Sequence, residues 1–152
     1  MELYRLYRAK YGNPLNGQGA ALRGGRWNSP GTPLVYTASN RSLAMAEVLV
    51  HLSLATMPQD YEMAVLYLPE QLPIGRLHPQ ALPPNWQDFP PPEVLRQHGD
   101  LLVRQNQFVA LQVPSAVTPG DFNLLLNPNH PDFNQVKLLD SSPFGFQRRL
   151  FK

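Results

Sequence analysis

The sequence of 152 residues contains no cysteine. That excludes a disulfide scaffold, a thiolate nucleophile, an iron–sulfur cluster and any cysteine zinc site. It also suits a cytoplasmic address. Metal-type histidine spacing is missing too: His51, His78, His98 and His130 are scattered, so no metal is expected. No apolar run approaches the ~18 residues of a membrane span, and Met1–Arg5 does not open a signal peptide. No P-loop, dinucleotide-binding glycine fingerprint or GxSxG elbow occurs. Charged residues make up only 16% of the chain, too few for a disordered, charge-rich protein.

Proline, by contrast, is abundant. Its 17 copies argue against a bundle of long helices, because proline inside a helix costs ~3 kcal/mol. Eight of them fall between residues 69 and 92, which reads as a stiff connection anchored by Leu72, Leu77, Leu82, Trp86 and Phe89. The net charge of +2 hides a division along the chain. Residues 1–46 carry six basic side chains and one acid, residues 47–103 two basic and seven acidic ones. The basic first third either faces an anion such as phosphate or is a solvated face beside an acidic middle.

Strands are predicted at Leu3–Arg8, Leu34–Ala38, Tyr61–Leu68, Phe108–Val113, Val136–Leu139 and Phe144–Phe146. Leu124–Leu126 is a short apolar run that fits helix or strand. A helix is predicted from Arg41 to Ala55, capped by Ser39 or Asn40, with a short one at Glu93–Gln97. The first is apolar nearly all round, which predicts burial on more than one side. Tyr11–Pro33 reads as a long loop with six glycines, a type more often functional than decorative. Strands and helices do not alternate, so the class is α+β in a single domain, 1–152.

Within the loop, Gly24-Gly25-Arg26-Trp27-Asn28 is the most unusual string. Paired glycines allow close backbone approach, and Arg26 offers a fork for phosphate or carboxylate. Glu47, on the apolar helix, must be paired, hydrogen-bonded or facing a cleft. Arg26 is its natural candidate partner, either as a structural ion pair or as part of a site. Ser115, after the strand ending at Val113, is a turn or cap residue or a site residue. Asn127, before Pro128, is the kind of asparagine that caps or turns.

Together these strings resemble the RES-domain toxins of bacterial RES–Xre toxin–antitoxin modules. The resemblance rests on Tyr4-Arg5, Gly19-Ala20, Gly24–Asn28, Gly31, Val35–Ala38, Leu43-Ala44, Glu47, Val50–Leu52, Gly99-Asp100, Val113–Val117 and Asn123–Pro128, in that order. The tryptophan often found after the Gly-Asp pair is absent, since Leu101-Leu102-Val103 follows. The resemblance implies an ADP-ribosyltransferase-like fold of small antiparallel or mixed sheets around an NAD-binding cleft. It implies NAD as a substrate rather than a cofactor, cleaved at the nicotinamide–ribose bond with water or phosphate as acceptor. It implies an Xre-type helix-turn-helix antitoxin as partner; a homodimer is left open, and neither direct nucleic-acid binding nor membrane attachment is expected. The family's arginine, glutamate and serine fall on Arg26, Glu47 and Ser115. Tyr36 completes the expected catalytic group, with Trp27, Asn28 and Asn127 as further substrate contacts or loop supports. The alternatives are a transferase that places ADP-ribose on a protein or nucleic acid, and a non-catalytic module binding through its basic N-terminal face.

Overall fold

A computed structural model of the chain describes residues 1–151. Seven strands form one mixed sheet: β1 (Glu2–Arg8), β2 (Val35–Ala38), β3 (Tyr61–Tyr67), β4 (Ile74–Arg76), β5 (Ala110–Pro114), β6 (Phe122–Leu126) and β7 (Lys137–Pro143). Their order is β4-β5-β6-β2-β1-β3-β7. Only β4 and β5 run parallel; every other neighbouring pair is antiparallel. The α+β class holds, with one continuous sheet in place of several small ones.

The undetermined run Leu124–Leu126 is strand β6, near the middle of the sheet. Leu124 and Leu126 join one buried cluster with Leu3, Val35 and Leu66, and Leu125 joins another with Trp27, Leu34 and Leu95. A strand covered on both faces has no reason to alternate in polarity, which is why its sequence fits either element. Phe144–Phe146 is not a strand. Phe144, Phe146, Tyr61 and Phe151 instead stack edge to face.

Three α-helices complete the fold: α1 (Gln18–Arg23), α2 (Arg41–Leu49) and α3 (Arg96–Gln105). Helix α2 starts where expected, with the Asn40 side chain accepting from the Leu43 amide at 2.8 Å. It stops earlier, at Leu49, and buries only Leu43 and Ala44. The expected burial on several sides is therefore incorrect. One face packs on β1 and β2, and the other apolar face is the wall of a cleft.

Helix α1 lies inside the glycine-rich loop, and α3 extends the short helix expected near Glu93. Gly99 sits in α3, where glycine costs about 1 kcal/mol relative to alanine. Its position explains it: the Gly99 amide donates to the Trp27 carbonyl at 2.8 Å, and a Cβ would come within 2.2 Å of that oxygen. No helix of the described residues is long and apolar enough to cross a membrane.

Candidate active site

The Gly24–Asn28 string folds into a tight turn closed by a backbone bond from the Gly25 amide to the Asn28 carbonyl, 3.0 Å. Asn28 is completely buried and acts as its hub. Its amide nitrogen donates to the carbonyls of Ala20, Ser29 and Thr32, and its oxygen accepts the Tyr36 hydroxyl at 2.6 Å. The Trp27 amide donates to that same hydroxyl. Gly25 is required because Tyr36 passes over it; an added Cβ would lie 2.7 Å from the phenol oxygen. Asp100 clamps the next residue, accepting from both the amide and the hydroxyl of Ser29. Those bonds hold the Asp100 carboxyl below its usual range although burial opposes them. The Gly99-Asp100 pair thus locks α3 onto the turn.

This scaffold presents Arg26 and Tyr36 to a cleft whose opposite wall is α2. Glu47, in the last turn of α2, projects into it. Ser115, one residue past β5, donates to Glu47 Oε1 at 3.0 Å. Asn123 of β6 lies opposite Ala38 of β2 and Val113 of β5; its side chain donates to the Thr37 carbonyl at 3.2 Å and lines the cleft beside Glu47. Burial raises the Glu47 pKa. The hydrogen bond from Ser115, the nearby Asn123 amide and the charges of Arg26 and His51 oppose that rise. Burial likewise raises the Tyr36 phenol well above its ordinary value, so it stays protonated and keeps its bond to Asn28.

The Arg26–Glu47 ion pair, one of the two readings open from the sequence, is not formed. Arg26 Nη1 donates instead to the carbonyls of Trp86 (2.6 Å) and Asp88 (3.1 Å). Two backbone oxygens orient the guanidinium without neutralising it. Burial lowers its pKa and the field of Glu47 offsets this, so it remains a cation at neutral pH. The proline-rich connection, which carried no motif, is therefore the strap that aims Arg26.

The cleft has two adjoining parts, of about 140 Å³ and about 720 Å³, both lined by Arg26, Tyr36 and Glu47. The smaller part adds Asn123, Trp27 and Arg5; the larger adds His51, Phe89 and Arg96. Of the seven residues expected at the site, Arg26, Tyr36, Glu47 and Ser115 come together. Trp27 is nearly buried and borders the cleft while packing against Trp86 and His98. Asn28 supports the turn from outside the cleft. Asn127 lies elsewhere, fully buried, donating to the Leu102 carbonyl and to Asn106. It ties β6 to the end of α3, so its substrate contact is replaced by a structural one.

Asn123 and Arg5 were not among the expected site residues. Asn123 had a usable signal, a polar residue opening an apolar strand. Arg5 stood in the Tyr4-Arg5 string that carries the resemblance, but an arginine alternating with aromatics also reads as the solvated face of a strand. Arg5 in fact donates from Nη1 to the Tyr36 carbonyl at 2.9 Å, and its Nε is shielded and unpartnered.

A carboxylate braced by a serine, with an arginine and a tyrosine lining the same cleft of an α+β fold, defines a small-ligand site of enzyme type. The chain belongs to the RES domain family, whose model matches residues 2–147. It is 39% identical over 157 residues to "Toxin Res" of Photorhabdus laumondii, covering 100% of this chain and 98% of that protein. It is 35% identical over 125 residues to "Prs ADP-ribosylating toxin" of a Sphingobium species, covering 81% and 78%. The fold matches a chain of the M. tuberculosis MbcT–MbcA toxin–antitoxin complex with a TM-score of 0.77 and 23% identity, over 94% of this chain and 83% of that one.

Proposed function

We propose that the protein is a toxin of a toxin–antitoxin module that depletes cytoplasmic NAD by cleaving its nicotinamide–ribose bond. The observation that carries this reading is the Glu47 carboxylate, held at 3.0 Å by Ser115 and lining one cleft with the Arg26 guanidinium and the Tyr36 ring. The toxin names of the relatives support the biological role.

Nicotinamide is a good leaving group, so no strong acid is needed. The bond between ribose C1′ and the pyridinium nitrogen breaks with its electron pair going to nitrogen, which releases neutral nicotinamide. Positive charge then develops on the ribose, and Glu47 stabilises it. Water or phosphate adds to C1′ and gives up a proton, leaving ADP-ribose or its 1″-phosphate. Arg26 binds a phosphate of the dinucleotide and fixes its position. Tyr36 offers its ring face to nicotinamide or ribose, since its hydroxyl proton is committed to Asn28. Ser115 orients Glu47. An Xre-type helix-turn-helix antitoxin would restrain the toxin by covering this cleft.

A second reading is transfer of ADP-ribose to a macromolecule, which the name of the Sphingobium relative favours. Quantifying NAD in cells after induction tests depletion: a fall that precedes growth arrest supports it, and unchanged NAD rejects it. Incubating the purified protein with labelled NAD and lysate separates the two readings. Free ADP-ribose or its phosphate supports cleavage, and label on protein or nucleic acid supports transfer.

A further inference from the structure

A second cavity, of about 410 Å³, adjoins the cleft and shares Arg5, Leu6 and Val48 with it. The catalytic reading leaves it unused. Its chemistry differs from that of the cleft. Arg5, Arg8 and Arg23 line it, and no carboxylate does. Asp60, bound to Arg8 at 2.6 Å, neutralises only that one arginine. Asn13, Asn16 and Gln18 add amide side chains to the lining.

Tyr11 lies at the wall of this cavity, 59% exposed. Three cations surround its ring: Lys10 Nζ at 5.0 Å, Arg8 at 5.7 Å and Arg23 at 5.9 Å from the centroid. An exposed aromatic ring among cations offers a stacking surface beside phosphate-binding charge, the combination that holds nucleotides. Arg5 stands where the two cavities meet. Its Nη1 is used by the Tyr36 carbonyl, and its shielded Nε has no partner. A buried guanidinium nitrogen without an acceptor is costly unless a ligand supplies one.

We propose that this cavity binds the adenylate half of the dinucleotide, with Tyr11 stacking on adenine, Arg23 reaching phosphate, and Arg5 contacting the diphosphate where it crosses between the cavities. The assignment rests on the reading of the cleft as a dinucleotide site. It also gives the basic first third of the chain a role, because Arg5, Arg8, Lys10 and Arg23 all gather here.

The test uses AMP and two surface substitutions, Tyr11→Ala and Arg23→Glu, which leave the core and the cleft intact. Calorimetry should show AMP binding to the full chain, retained in Glu47→Gln and weakened about tenfold or more in either surface variant. The same two variants should raise KM for NAD by a similar factor and leave KM for nicotinamide mononucleotide, which lacks the adenylate half, unchanged. Unaltered AMP affinity and unaltered KM for NAD in both variants overturn the proposal while leaving NAD cleavage standing. A protein that binds AMP through Tyr11 and Arg23 yet consumes no NAD overturns the proposed reaction and leaves the adenylate site in place.

Discussion

Ser115 Oγ donates to Glu47 Oε1 at 3.0 Å while accepting from the amides of Val117 (3.1 Å) and Thr118 (3.0 Å). Its donor and both lone pairs are occupied, so it cannot serve as a nucleophile without breaking its own turn. The serine fastens the β5–β6 turn to the carboxylate on α2. A structural turn and a site residue, opposed readings in the sequence, are here one and the same.

Ser115→Ala should therefore affect stability and activity together. Losing the hydroxyl leaves two turn amides without their acceptor, a cost of about 1–3 kcal/mol that a denaturation curve will register. NAD consumption should fall roughly 10–100-fold, the scale of one hydrogen bond to a charged group. The pH profile isolates the second effect. The bond favours the ionised form of Glu47, so its loss raises a pKa that burial has already raised. The acid limb of the rate profile should move to higher pH. A lower rate with an unmoved limb would restrict Ser115 to supporting the turn.

For Arg26→Ala, substrate binding should suffer most. We expect KM for NAD to rise roughly tenfold or more, since charge-assisted bonds to phosphate are worth about 1.5–3 kcal/mol. Arg26→Lys should rescue little, because Nη1 alone holds the Trp86 and Asp88 carbonyls and leaves the rest of the guanidinium for phosphate, a division that a single ammonium cannot reproduce. Intact NAD affinity with lost turnover would move Arg26 to a role in the transition state.

The legible parts of this molecule were those with local chemistry. Strands β1, β2, β3 and β5 announce themselves by aromatic and β-branched runs, and α2 by its asparagine cap. The site residues stand out because each is a polar group in the wrong place, as Glu47 is on an apolar helix. What could not be read depends on distant partners. Helix α3 lacks a capping side chain and contains Gly99, whose need arises only from the Trp27 carbonyl 72 residues earlier in the sequence. The aim of Arg26 depends on carbonyl groups, and every residue carries one. Asn28 and Asn127 looked like ligand contacts because buried hubs and exposed sites draw on the same residue type.

Gly99→Ala tests the clamp between α3 and the Gly24–Asn28 turn. The new methyl would meet backbone, the Trp27 carbonyl at 2.2 Å, so no side-chain rotation can relieve it. Helix propensity alone would make this change stabilising by about 1 kcal/mol. We expect the opposite sign, a loss of about 1–3 kcal/mol from overpacking, together with impaired NAD consumption as the turn shifts. A raised melting temperature would show that α3 is not held against Trp27.

Glu47→Gln separates function from stability. NAD consumption and growth arrest should disappear while the protein still folds, because the glutamine oxygen can accept from Ser115 and only the charge is lost. Nearly unchanged NAD loss in the folded variant would remove Glu47 from the mechanism. The stability effect should run the other way. Burial lifts the folded-state pKa of Glu47 above its unfolded value, so the folded chain holds the proton more tightly. The penalty is absent below the unfolded pKa, develops as pH rises through the two values, and is complete above the folded one. Glutamine carries no such penalty. The variant should melt at or above the wild-type temperature at neutral pH, and this advantage should close as pH falls below the ordinary carboxylate range. A melting difference that stays constant with pH would mean that the cleft solvates the carboxylate as well as water does. Glu47 would then be a ready-made anion rather than one the fold keeps at a cost for its chemistry.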